Sequence, residues 1–173
     1  MSCILTSGYT LDCRDNVGGI ETIYITELEN KNAITAASGI ITAFTLKPTK
    51  QFWTYNIQKE TANATENIPD GIANGTLHYE QTLVMTLRKL QATLRNEIYL
   101  LAQNNLMIIV KLRTGKFFLM GQNTGMELQT MAAATGTAMG DASGYTLTFM
   151  GKETSGMQEV SAGLLTTLTA PAA

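Results

Sequence analysis

The sequence predicts an α+β fold, mainly antiparallel β, arranged as a β-sandwich or barrel with one flanking α-helix at about 90–104 and a long loop at about 59–76. Three observations predict it. Period-two apolar patterns recur between turn residues, a single stretch switches to three- and four-residue spacing, and threonine is abundant at 26 of 173 residues. Threonine is β-branched and fits the pleated surface of a strand.

Taken in order, 12–19 is turn-like, punctuated by Asn16 and Gly18-Gly19. Ile20 to Leu28 is rich in Ile, Thr and Tyr and reads as a strand. Ser38-Gly39 breaks the chain before a second strand, Ile40 to Lys47, which Pro48 stops. Phe52 to Gln58 follows, with Trp53, Tyr55 and Ile57 on one side. Lys59 to Thr76 holds Asn63, Asn67, Pro69-Asp70-Gly71 and Asn74-Gly75 with few apolar residues, which predicts the loop; loops of this length are commonly functional or flexible. Leu77 to Leu87 is the clearest strand. Leu77, Tyr79, Leu83, Met85 and Leu87 share one face, interrupted by Gln81, and His78, Glu80, Thr82, Thr86 and Arg88 share the other.

Leu90, Leu94, Ile98 and Leu101 then recur at helical steps, ending near Asn104-Asn105. A hairpin follows, Leu106 to Arg113 and Lys116 to Met120 around Thr114-Gly115. Met126 to Met131 reads as a strand, Ala132 to Gly144 as a small-residue connection, and Tyr145 to Met150 as a late strand ended by Gly151. From Leu164 the chain fades into small residues. The pentapeptide Ser7-Gly-Tyr-Thr-Leu11 recurs at 143–147, as two similar entries to strands rather than a duplicated domain.

The length fits one structural domain, 1–173, able to bury a core without metal or disulfide. Charged residues are only 15%, and net charge is −2. A surface of Thr and Asn is easy to desolvate, since no ionic hydration shell has to be stripped, which suits burial by neighbouring subunits. The low, scattered positive charge argues against a protein that grips nucleic acid. No signal peptide or membrane-length apolar run is present, so the expectation is synthesis in the cytoplasm and no membrane partner. Cys3 and Cys13 are too few for a zinc site and are expected as free thiols or a single bridge.

Chemistry is sparse. His78 is the only histidine, and no Gly-x-Ser-x-Gly elbow accompanies it. Metal motifs and a phosphate-cradling loop are missing; Gly136-Thr-Ala-Met-Gly140 lacks the Lys of a P-loop. The acids Asp12, Asp15, Glu21, Glu27 and Glu29 read as a solvated edge. Trp53 and Tyr55 would either pack in the core, as their alternation with Ile57 favours, or line a sugar site in a carbohydrate-binding module. The expectation is therefore no enzyme, no cofactor and no metal.

The order of elements resembles the tail tube family of bacteriophages, and the segment Thr137-Ala-Met-Gly-Asp-Ala-Ser-Gly-Tyr-Thr-Leu-Thr-Phe-Met-Gly-Lys-Glu153 looks like the endings of small structural proteins in phages of gut Bacteroides-type hosts. The architectural likeness covers most of the chain and the motif only its late segment. The resemblance implies a virion structural subunit of the tail, assembled from host cytoplasm into stacked, hexameric rings. Its partners would be copies of itself and other virion proteins, with DNA as non-specific cargo in a lumen. Terminator, connector and capsid-decorating roles need the same surfaces. On the family pattern the loop would make contacts between subunits, through Asn63, Asn67, Ile68, Asp70 and Ile72.

Overall fold

The computed structural model describes residues 8–9, 16–69, 71 and 74–170. Among them eleven strands and two α-helices make an α+β fold of two sheets. The strands are β1 (Ile20–Glu27), β2 (Lys31–Ala37), β3 (Ile40–Leu46), β4 (Trp53–Asn56), β5 (Ala62–Asn67), β6 (Tyr79–Arg88), β7 (Leu106–Leu112), β8 (Phe117–Met120), β9 (Glu127–Ala134), β10 (Gly144–Glu153) and β11 (Gln158–Val160). The helices are α1 (Ala92–Gln103) and α2 (Ala162–Leu168). One sheet runs β2-β3-β11-β8-β7-β1-β4 and the other β5-β6-β10-β9. Neighbours are antiparallel throughout, save the parallel pair β3 and β11. Both sheets are open, so among the described residues the barrel alternative is not met.

The hydrophobic effect explains where the sheets meet. Leu106 to Val110 in β7 are all buried, an unbroken apolar run rather than an alternating one, because the large sheet is covered on both faces. Leu106, Ile108 and Val110 join Ile23 and Ile25 of β1 and Leu83, Met85, Leu147 and Phe149 of the small sheet in one cluster, which also takes Ile98 and Leu101 of α1. Met107 and Ile109 point the other way, into a cluster with Phe44, Phe52, Leu119 and the α2 residues Leu165 and Leu168. Phe44 and Phe52 meet edge to face at 5.6 Å, and the Phe52 N–H donates to the Leu168 carbonyl at 2.9 Å. Burying each such side chain stabilises the fold by roughly 1.5–3 kcal/mol.

The core ends in a polar layer. Gln81, which interrupts the apolar face of β6, is only 1% exposed. Its Oε1 accepts the Gly121 N–H at 3.0 Å and its Nε2 donates to Glu66 Oε2 at 3.0 Å. Glu66 in turn accepts the Met157 N–H at 2.6 Å. Next to it Glu153, also buried, accepts the N–H groups of Asn123, Thr124 and Gly125 at 3.0, 2.9 and 3.2 Å. These carboxylates pin the 121–125 and 155–157 loops over the end of the small sheet.

Several expectations are corrected. The predicted loop 59–76 contains β5, an Asn/Thr-rich strand whose partner β6 supplies the order that its own composition does not reveal. The late strand runs through Gly151 to Glu153, because Gly151 is there for close approach: a Cβ on it would lie 2.7 Å from the Gly125 carbonyl oxygen. The segment 132–144 is shorter as a connection, since β9 extends to Ala134. The C-terminal segment folds as α2, whose Leu165 and Leu168 are buried. Trp53 is not core: it is 65% exposed on the edge strand β4, and only Tyr55 reaches the interior. Cys3, Cys13 and, of the 7–11 pentapeptide, Ser7, Thr10 and Leu11 lie outside the described residues.

Candidate assembly surfaces

Direct strand partners share a face, so the register of the small sheet states which side chains point away from the core. One outward row is Asn63, Val84, Thr148 and Thr130; the next is Thr65, Thr82, Met150 and Glu127; a third is Thr86, Thr146 and Ala132. None of these enters either core cluster. Apart from Glu127 on the edge strand, these rows are hydroxyl, amide and apolar surface. Charge collects at the ends of the face. Glu80 and Lys152 pair across β6 and β10 at 3.1 Å, and His78 Nε2 lies 3.7 Å from the same carboxylate. The Lys152 hydrogen bond, reinforced by His78, holds the Glu80 carboxyl below the usual carboxylate range. Arg88 marks the opposite end.

The two edges of this sheet are β5 and β9. β9 has Glu127 as its single ionisable residue, and Gln129 to Ala134 are exposed. On β5 the single acid, Glu66, turns inward to Gln81, leaving Ala, Asn and Thr. Natural sheets usually guard free edges with lysine, proline or very short strands. Here one edge offers eight residues and the other six, with no lysine or proline in either. The large sheet ends on β4, only four residues long, and on β2, whose single charge is Lys31.

The residues expected to contact other subunits divide into two groups. Asn63 and Asn67 project from β5 on the outward face, and Ile68, just beyond, is 58% exposed. Asp70 and Ile72 lie outside the described residues. Sequence reasoning did not identify β9 as an edge. Its signal would have been a β-compatible run, uncharged after Glu127 and without sustained apolar alternation, the mark of a strand that is mostly wet. The β9–β10 turn is closed by Asp141, whose carboxylate accepts the N–H groups of Thr137 and Ala138 at 2.9 and 2.8 Å; these bonds hold it below the usual aspartate range.

Among the described residues no group of three His, Cys, Asp or Glu side chains is placed to hold a metal ion. No described helix is long and apolar enough to cross a membrane. No family model, curated protein or solved structure matches the chain.

Proposed function

We propose that this chain is a structural subunit that joins copies of itself into stacked rings, in the manner of phage tail tubes, with DNA passing through the lumen. The observation that carries it is the small sheet: two long edges without lysine or proline, on either side of a face rich in threonine. An unpaired edge strand presents a row of backbone donors and acceptors, and another strand satisfies them best. Joining β9 of one copy to β5 of the next extends the sheet. A ladder of about six bonds, at roughly 0.5–1.5 kcal/mol each, supplies about 3–9 kcal/mol per joint. Because association itself costs about 4–15 kcal/mol, single joints are weak and a closed ring, in which every copy makes two, is favoured.

Six copies of a four-stranded sheet make 24 strands. Barrels of 16–18 strands already leave an aqueous channel, so such a ring has room for a lumen. In it each subunit is a β-sandwich, with the outward rows of the small sheet lining the channel. Phosphates meet hydroxyls and amides there rather than a lysine-rich wall, so DNA slides without being gripped. Catalysis has no part in this role. The product is a tail component of a virion, built in the host cytoplasm.

Replacing Ala132 on β9 by lysine tests the joint. The expected result is an unmodified protein that sediments as an oligomer and an Ala132→Lys variant that stays monomeric with unchanged circular dichroism. A variant that assembles like the parent would refute the edge joint.

A further inference from the structure

The helix α1 carries surface features of opposite character at its two ends. From its middle onward, Glu97 and Leu100 face Trp53 and Tyr55 of β4 and Glu27 at the end of β1, across an open cleft of about 230 Å³. Trp53 and Leu100 are 65% and 51% exposed, apolar surface that the fold leaves in water. Among the described residues no lysine, arginine or histidine lines the cleft. Glu97 has no hydrogen bond or ion pair with any described residue, whereas Glu27 accepts from Asn30 Nδ2 at 2.7 Å and lies 3.9 Å from the exposed Lys50. The Tyr55 hydroxyl is pushed up by burial and by the Glu97 charge, as expected where cations are scarce. An indole beside carboxylates, with no cation among the lining residues, suits an incoming positive group.

At the other end, the turn from β6 into α1 presents Arg88, Lys89 and Leu90, all exposed. Lys89 sits in the left-handed region at φ 71°, an uncommon conformation for a residue with a side chain. Neither Arg88 nor Lys89 makes an ion pair among the described residues. Glu97 and Leu100 are five and eight residues beyond Ala92, about 8 and 12 Å along the helix, so knob and cleft are separate patches.

We propose that the Arg88–Leu90 turn of one copy seats in the Trp53–Leu100 cleft of the next, with Lys89 against Glu97 and Leu90 against the exposed Leu100. Unlike patches on one chain make a head-to-tail contact that every copy repeats, rather than a two-fold one. This rests on self-assembly, and adds to the backbone joint a side-chain lock that sets which way the next copy faces.

Trp53 is the sole tryptophan, so its fluorescence reads the cleft directly. As protein concentration is raised through assembly, the emission is expected to move to shorter wavelength. Assembly with unchanged emission would overturn this contact and leave the edge joint standing; a protein that never assembles would sink self-assembly itself. Lys89→Glu and Glu97→Lys are each expected to raise the concentration for half-assembly about fivefold, since each turns an attraction into a repulsion. The double variant is expected to return within about twofold of the parent. Reversals without effect, or a double variant that stays impaired while its urea midpoint matches the parent, would refute the pairing.

Discussion

Glu153→Ala should loosen the loop from which β9 starts. The carboxylate is 1% exposed and its Oε1 accepts three successive backbone N–H groups and the Thr124 hydroxyl, the latter at 3.1 Å. Alanine removes all four bonds. Asn123 and Thr124 are exposed residues whose groups can turn to water, whereas the buried Gly125 N–H cannot. An orphaned buried donor costs about 1–3 kcal/mol, and losing charge-assisted bonds at the other two amides adds a further 1–2 kcal/mol. Against this, the carboxylate no longer has to be desolvated, and its Oε2 has no partner. The net expectation is a loss of about 2–4 kcal/mol in urea unfolding. Glu153→Gln, which keeps Oε1 as acceptor, is expected to lose less than half as much. Equal losses for the two, or an alanine variant within about 0.5 kcal/mol of the parent, would show that the bonds to Oε1 do not hold this loop.

Other consequences are open to measurement. Gly151→Ala would push a Cβ to 2.7 Å from both the Gly125 oxygen and the Met126 sulfur, so thermal unfolding should show a loss of about 2 kcal/mol; an unchanged midpoint would contradict the close approach. Leu165→Ala should cost about 2–4 kcal/mol, since α2 is seated through Leu165 and Leu168; a smaller loss would mean that α2 is not packed. The depressed Asp141 carboxyl stabilises the β9–β10 turn above its unfolded pKa, and that contribution disappears as pH falls through the lower folded value. Amide exchange at Thr137 and Ala138, corrected for its intrinsic pH dependence, should therefore lose protection only below the usual aspartate range, and Asp141→Asn should lack that transition.

Much of the fold was legible where one face of an element is dry. β6 alternates because Leu83 and Met85 meet the large sheet while Thr82 and Thr86 do not, and α1 shows its stripe because Ile98 and Leu101 alone are fully buried. The hairpin of β7 and β8 was marked by Thr114-Gly115, with Gly115 at φ 84°. What was hidden follows from the same physics. β2 and β9 are mostly exposed and each sends a single apolar side chain, Ile34 or Leu128, to the core, so no period-two signal marks them. β5 consists of Ala, Asn, Thr and Glu and acquires its strand identity from β6. β11 has three residues and α2 seven, too short for a periodic pattern to stand out. Trp53 follows the alternation of Tyr55 yet lies beyond the covered part of its sheet, where alternation no longer reports burial. The candidate surface was harder to see than the core for the same reason: an unguarded edge is defined by charges that are missing.

Electron microscopy of the purified, unmodified protein at high concentration tests self-assembly most directly. Closed rings, singly or in stacks, with an open centre are the expected result. Uniform monomers at every concentration, with β5 and β9 amides exchanging as free edges, would contradict it.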